Sequence, residues 1–275
     1  MPAPQASVMT QQAQNNFRSK NIELPMDWSD PGDQYDDAFQ EGEKQVAPTP
    51  MCLFKEATQN KYHVDSATTI GQGHADYIEG VCGAICGAID KWMKMTVVAK
   101  VVINGPVGVV SPGSFLGPPL MPLILATAPM DTAQKAKYSN AIANAFSTLW
   151  QAWHMGLTGQ LSYPAFAAFP GPVTPPTPCV PMPLVAFSSP AESGLSPSTL
   201  KSTMEGFLAD PQALHASDLF DAVAKAFNSV FQTFKSSTMV QNVLGTGQVP
   251  SFKPPFSPVG PVVGGTSIPA PVVLS

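Results

Sequence analysis

Charged side chains are scarce in this chain. Asp, Glu, Lys and Arg make up 12% of the 275 residues, about half the usual share, and Arg18 is the sole arginine. An independently soluble monomer needs charges of both signs interspersed over its surface. The composition therefore favours a protein whose surface is largely covered by neighbouring subunits. A secreted, proline-rich globular protein is the alternative.

A basic patch is missing as well. Residues 1–70 carry ten acidic and five basic side chains, whereas residues 71–275 carry nine of each. Direct nucleic-acid binding requires lysines and arginines gathered on one face, and this distribution does not provide such a face. We therefore expect no direct contact with nucleic acid.

Disulfides and membrane spans are also not expected. Four cysteines in a chain of this length do not make a disulfide framework. The longest apolar stretches are interrupted by Glu79, Lys100 and Pro106 before they reach the ~20 residues of a spanning helix, and we expect no secretory signal. We predict no transmembrane segment and synthesis in a cytoplasm, followed by incorporation into a virion or injection-machine particle. Release by lysis stays open.

Recognised catalytic and cofactor motifs are missing too. The chain has no HExxH, GxSxG, GxGxxG or GxxxxGK[ST] pattern. Cys82 and Cys86 share a helix face, and Cys179 or His74 could join them, but the second close pair that is usual in zinc sites is absent. We expect packing roles for these thiols and a core or capping role for His154. The sequence predicts no enzyme, no cofactor and no metal site.

Large apolar residues recur at helical spacing in three stretches. Each set occupies positions i, i+4 and i+7, which a period of 3.6 residues brings onto one face of a helix. After each set the chain passes through a β-prone or mixed run to a Gly-x-Val or Gly-Pro-Val turn and then to a proline-dense tract. The sets are Ile85, Ile89 and Trp92; Phe146, Trp150 and Trp153; and Phe227, Phe231 and Phe234.

This recurrence predicts an α+β fold built from three units of helix, short strands and proline-rich loop around a shared core. The units span about 75–125, 131–181 and 217–265, and an additional helix occupies about 197–209, with proline in its first turn. In the first unit, Met95–Ile103 reads as a strand that turns back as a hairpin. Three glycines in the first helix predict a face pressed against another backbone.

The first fifty residues have a different composition. Residues 1–50 are glutamine-rich and acidic, which predicts an extended N-terminal arm, and residues 51–74 read as a connector. Trp28, Tyr35 and Phe39 are large anchors on the arm and favour ordering of the arm on a neighbouring subunit. Plain disorder is the alternative.

These features predict a non-enzymatic structural subunit of a large assembly, such as a phage virion or tail, or a tail-like contractile injection machine. A collar, a baseplate or a similar connector would suit the chain, with copies of itself and other structural subunits as partners. Two alternatives stay open: an exported membrane-active effector that inserts apolar helices, and an enzyme of unfamiliar type. The residues predicted to anchor the assembly or the core are Trp28, Tyr35, Phe39, Trp92, Phe146, Trp150, Trp153, Phe227, Phe231 and Phe234.

Overall fold

A computed structural model describes most of the chain, with gaps. The described ranges are 3–23, 61–168, 171–255, 259–270 and 272–275. The structure is 51% helical and 18% strand, so the fold is a mixture of helix and sheet, as the predicted α+β class requires.

Along the described chain, each pair of α-helices is followed by four short strands. In the described ranges the helices are α1 (Ala6–Arg18), α2 (Lys61–Met95), α3 (Leu120–Leu125), α4 (Ala133–Met155), α5 (Pro197–Leu208) and α6 (Ala216–Ser237). The strands are β1 (Val97–Val98), β2 (Val102–Asn104), β3 (Val107–Val110), β4 (Phe115–Leu116), β5 (Gly159–Ser162), β6 (Phe166–Ala167), β7 (Thr177–Pro178), β8 (Met182–Pro183), β9 (Met239–Val240), β10 (Leu244–Gln248), β11 (Val259–Gly260) and β12 (Val263–Ile268).

The helices pack in a ring. Each of α1 to α5 contacts the next helix in the chain, and α6 contacts α1. The three long helices α2, α4 and α6 therefore alternate around the ring with the shorter α1, α3 and α5. The long helices point their aromatic residues inward, where the Trp92 and Trp150 rings lie 5.1 Å apart and the Trp150 and Phe231 rings 5.9 Å apart. This aromatic interior belongs to the hydrophobic core.

Six strands form the main sheet, in the order β5-β3-β2-β12-β10-β7, with every neighbouring pair antiparallel. The chain just after β7 connects the two edges. The Cys179 N–H donates to the Val243 carbonyl at 3.0 Å, and the Val180 N–H donates to the Ser162 carbonyl at 2.8 Å. Segment 177–180 thus lies between β10 and β5, and the sheet curls into a small closed barrel.

Bulky side chains and several glycines fill the barrel. A Cβ atom added at Gly108 would lie 2.8 Å from the Tyr163 ring, and one added at Gly245 would lie 2.7 Å from Ile103. Ile103 and Leu161 are fully buried and Tyr163 is nearly so. Glycine is required opposite these side chains because so narrow a barrel has no room for a second layer of side chains.

The prediction of an extended arm is wrong for residues 6–18, which form α1. Met9, Ala13 and Phe17 repeat every four residues and are buried against α2 and α6. This stripe is not apparent from the composition, because the segment is polar overall. Its alanine, methionine and glutamine residues are nevertheless good helix formers. Residues 24–50, which include Trp28, Tyr35 and Phe39, lie outside the described residues.

The connector predicted at 51–74 is also partly wrong, because α2 begins at Lys61. Val64, Ala67 and Gly71 are buried and continue the inner face of α2 toward its start. The stripe was missed because two of these three residues are small. Residues 51–60 lie outside the described residues.

The first strand prediction needs a smaller correction. Met95 ends α2, and the run Met95–Ile103 contains two short strands in place of one. The predicted hairpin is confirmed, since Asn104 pairs with Val107 across the turn between β2 and β3. Of the three glycines in the first helix, Gly80 lies against the side chain of Pro129, and a Cβ added at Gly83 or Gly87 would meet nothing within 4 Å. The expected close approach to another backbone is therefore not found at these positions.

The proline tracts do not behave uniformly as loops. Residues 174–183 contain β7 and β8 and close the barrel. Proline fits here because the donors come from Cys179 and Val180, between the prolines. Residues 117–122 lead directly into α3, where Pro122 occupies the first turn, a position whose N–H would have no helical acceptor.

Candidate assembly surface

The sequence-predicted anchors that the structure describes lie in the core. All seven are at most 1% exposed, so they hold the helical ring together and do not face outward: Trp92, Phe146, Trp150, Trp153, Phe227, Phe231 and Phe234. The other three, Trp28, Tyr35 and Phe39, lie outside the described residues. A surface that meets partners must therefore use other side chains.

His154 belongs to the same core. Its Nδ1 lies 3.1 Å from the Trp150 carbonyl oxygen, to which it donates a hydrogen bond, and its ring lies 5.3 Å from the Trp92 ring. Burial lowers the pKa of His154 to about 4, because the charged imidazolium is costly away from water. The imidazole is neutral at neutral pH and serves the packing.

The cysteines are also packing groups. Cys82, Cys86 and Cys179 are free and buried, and the Cys86 thiol lies 3.6 Å from the Met9 sulfur. Burial raises the pKa of Cys82, and it raises that of Cys86 to about 12. Thiols held in the protonated form are poor nucleophiles and poor metal ligands. Across the described ranges, no three His, Cys, Asp or Glu side chains are grouped closely enough to hold a metal ion.

The helices do not have the character of membrane spans. Among the helices in the described ranges, none combines the length and apolarity needed to cross a bilayer.

The ion pairs of the described residues lie in the helical ring and in the turns that join its helices. Lys20 on the turn after α1 pairs with Asp221 of α6 at 2.5 Å, and Lys135 at the start of α4 pairs with Asp131 at 2.8 Å. Lys235 of α6 binds Glu192. The pair of Lys20 with Asp221 joins elements at opposite ends of the chain, whereas that of Lys135 with Asp131 is local.

The strands and their loops have almost no charge. We call segments 96–119, 156–190 and 238–275 the β layer; its only charged side chains are Lys100 and Lys253, and both are exposed. No acidic residue occurs in it. The molecule therefore has a charged helical part and a nearly uncharged β part.

Several apolar side chains of the β layer are exposed. Val102 and Val109 face each other across β2 and β3 and are 50% and 43% exposed, and Val263 and Ile268 of β12 are 56% and 37% exposed. Contiguous exposed apolar surface on a soluble protein marks a site of interaction. Further exposed apolar residues of the β layer are Leu116, Val173, Val180, Val185, Val259 and Val272.

The loops at the end of the barrel away from the helices are bonded to one another. The Gly105 N–H donates to Val262 O at 2.7 Å, the Tyr163 N–H to Pro106 O at 2.8 Å, and the Val249 N–H to Pro172 O at 2.8 Å. Strand β6 also pairs with β11 across two of these loops. These bonds hold this end of the barrel in one shape, and a preformed surface has a lower ordering cost on binding than a flexible one.

Sequence reasoning noted the low overall charge but missed where the charges are absent. The signal was available, because the chain has no charged residue between Lys137 and Glu192 and only Lys253 after Lys235. What the sequence did not reveal is that these separate stretches meet in one layer.

Comparison of this chain with models of known protein families, with curated proteins and with solved structures finds no match in any of the three.

Proposed function

We propose that this protein is a non-enzymatic structural subunit of a large assembly, of the kind found in phage virions and tails and in tail-like contractile injection machines. Its place would be a collar, a baseplate or a similar connector. The β layer would be covered by copies of the chain and by other structural subunits, while the charged helical ring faces solvent or polar neighbours.

The observation that carries this proposal is the near absence of charge from the β layer, together with its exposed valines. A permanently exposed surface gains solubility from interspersed charges, and interface cores are depleted of charged residues. A layer whose exposed charges are two lysines, and whose strands present Val102, Val109 and Val263 outward, has the composition of an interface.

We also propose that the chain is triplicated, with units of about 5–116, 117–190 and 191–275. Each unit then consists of a short helix, a long helix and two strands of the barrel. The strand order supports this division, because the second barrel strand of each unit pairs with the first of the next: β3 with β5, β7 with β10, and β12 with β2. In this division α1, which the sequence did not predict, is the short helix of the first unit. The additional helix that the sequence predicts, α5, is the short helix of the third unit.

Equivalent positions in the three units support the same division. Each long helix has a last large aromatic residue. In every unit, the residue five positions after it forms a β-type pair with a residue at or near the end of the same unit. The aromatic residues are Trp92, Trp153 and Phe234, and the pairs are Val97 with Leu116, Thr158 with Ser188, and Met239 with Ser275. A single chain with threefold pseudosymmetry suits a position in an assembly where the symmetry changes.

Self-association is the most accessible test. Sedimentation velocity over a hundredfold range of micromolar concentration should show that the wild-type protein forms larger species. Val102→Lys places a charge at an exposed apolar position of β2 and should shift the protein toward monomer, whereas Thr148→Lys, at an exposed position of α4, should not. A wild-type protein that stays monomeric throughout, with both variants identical to it, would refute the proposal.

A further inference from the structure

Three sulfur-containing side chains meet where α1 packs on α2. Met9 and Cys82 are fully buried, and Cys86 is 3% exposed. The Cys86 Sγ lies 3.6 Å from the Met9 Sδ, and the Cys82 thiol is hydrogen-bonded to the side chain of Thr10, which follows Met9 in the chain. Both thiols therefore face the same short stretch of α1.

The spacing of the sulfur atoms suits one shared ion. Cys82 and Cys86 occupy positions i and i+4 of α2, and side chains at this spacing lie on one helix face with Cβ atoms about 5–6 Å apart. Two sulfur ligands of one tetrahedrally bound ion, with bonds of about 2.3 Å, lie roughly 3.8 Å apart. The separation of the Met9 and Cys86 sulfur atoms is close to that value.

The donor atoms of this cluster select the kind of ion. Thiol and thioether sulfur are soft ligands that suit Cu(I). Structural zinc sites take four ligands from Cys, His, Asp and Glu, and no His, Asp or Glu of the described ranges completes a group of three with the two thiols. Cu(I) is stable with fewer ligands than zinc, so the three sulfur atoms suffice for it.

Burial of the thiols restricts the ion further. The raised pKa of Cys82 and of Cys86 keeps both thiols protonated when no metal is bound, and in that form they serve the packing. A bound metal ion reverses this, because a coordinating thiol loses its proton outright. The ion must therefore bond strongly enough to sulfur to displace a proton to solvent, and one thiolate then balances the single charge of Cu(I).

We propose that Met9, Cys82 and Cys86 form a binding site for Cu(I) that joins α1 to α2. The ion bonds to the Cys86 thiolate and the Met9 thioether, with Cys82 as the third ligand. Three side chains of α1 are buried, and elements with few buried contacts open locally at a low cost in free energy, so the ion enters on the side of α1. The inference concerns the isolated chain and does not depend on the proposed assembly.

This inference departs from the sequence-based expectation of no metal site. The sequence places Cys82 and Cys86 on one helix face but does not predict α1, which brings Met9 to them. A methionine ligand was therefore not expected.

Competition with a coloured chelator tests the site. Reduced full-length protein is added, without oxygen, to the Cu(I) complex of bicinchoninate, whose absorbance falls as copper passes to the protein. We expect the wild type to take up one equivalent. Met9→Leu nearly conserves volume and apolar character but lacks the sulfur, so it should bind Cu(I) at least about tenfold more weakly. Cys86→Ala should take up none under the same conditions.

Two matched variants remove a sulfur atom elsewhere. Cys179→Ala removes a buried thiol of the β layer, and Met155→Leu removes the thioether at the end of α4; both should take up Cu(I) as the wild type does. Far-UV circular dichroism establishes that each variant is folded, and Met9→Leu decides the question if Cys86→Ala does not fold.

Three results would overturn the proposal. The first is a wild-type protein that takes no Cu(I) from the chelator. The second is equal uptake by the wild type and Met9→Leu, and the third is a loss of uptake in Cys179→Ala as large as that in Cys86→Ala.

Discussion

At the residue scale, the aromatic stripes of the sequence contribute to packing. Trp150 of α4 lies within 6.0 Å, ring to ring, of Trp92, Trp153, Phe231 and Phe234, so residues from three helices meet around one indole. The stripes predicted which face of each helix is buried, because periodicity alone determines that. Which rings touch depends on how the helices cross, and local spacing has no information about the crossing.

His154 makes this core sensitive to acid. Its pKa is lowered from 6.5 to about 4 in the folded protein, so the folded state binds its proton more weakly than the unfolded state does. The resulting loss of stability is absent above pH 6.5, grows as the pH falls toward 4, and reaches about 3 kcal/mol. Urea unfolding at several pH values measures it.

A substitution separates this effect from general acid denaturation. His154→Gln should show a flatter dependence of unfolding free energy on pH between 6.5 and 4 than the wild type. His215→Gln removes an exposed histidine and should keep the wild-type dependence. If all three proteins lose stability in parallel over this interval, His154 is not the group responsible.

At the element scale, α1 shows where composition misleads. The first fifty residues are polar enough to suggest an arm, yet Met9, Ala13 and Phe17 give α1 a narrow apolar stripe that α2 and α6 cover. A short helix with three buried residues is marginal on its own and is stabilised by tertiary packing. An argument from overall composition does not detect such a stripe, because it averages the apolar positions with the polar ones around them.

Two adjacent residues test whether α1 is part of the folded body. Met9 is fully buried and Val8 is 38% exposed. Met9→Ala should lower the unfolding free energy by about 2–5 kcal/mol, and Val8→Ala should change it by less than about 0.5 kcal/mol, as measured by urea denaturation. Two variants as stable as the wild type would mean that residues 6–18 are detached from the core.

The β elements were predictable only in part. The hairpin between β2 and β3 follows from the local Asn-Gly turn signal, whereas β7 lies in a proline tract that reads as a loop. β7 pairs with β10, more than sixty positions away, and the Val180 N–H just after β7 donates to the Ser162 carbonyl of β5. Contacts between residues so far apart in the chain leave no pattern in the local sequence, so the sequence does not predict the barrel.

At the scale of the whole molecule, the low charge of the sequence was visible from the start, but its arrangement was not. The uncharged stretches are separated in the chain by α4, α5 and α6, and the fold collects them into the β layer. Low charge predicts that the protein is covered by neighbours, and under the proposed function the β layer is the surface that they would cover.

The most direct test is the reactivity of the two lysines of the β layer. Lys100 and Lys253 are its only charged residues and are exposed in the single chain, as is Lys137 in the helical ring. Acetylation with a small reagent, followed by mass spectrometry at low and high protein concentration, compares them within one sample. We predict that Lys100 and Lys253 lose reactivity at high concentration while Lys137 keeps it. Unchanged reactivity at all three lysines, or protection of Lys137 in place of the other two, would contradict the account.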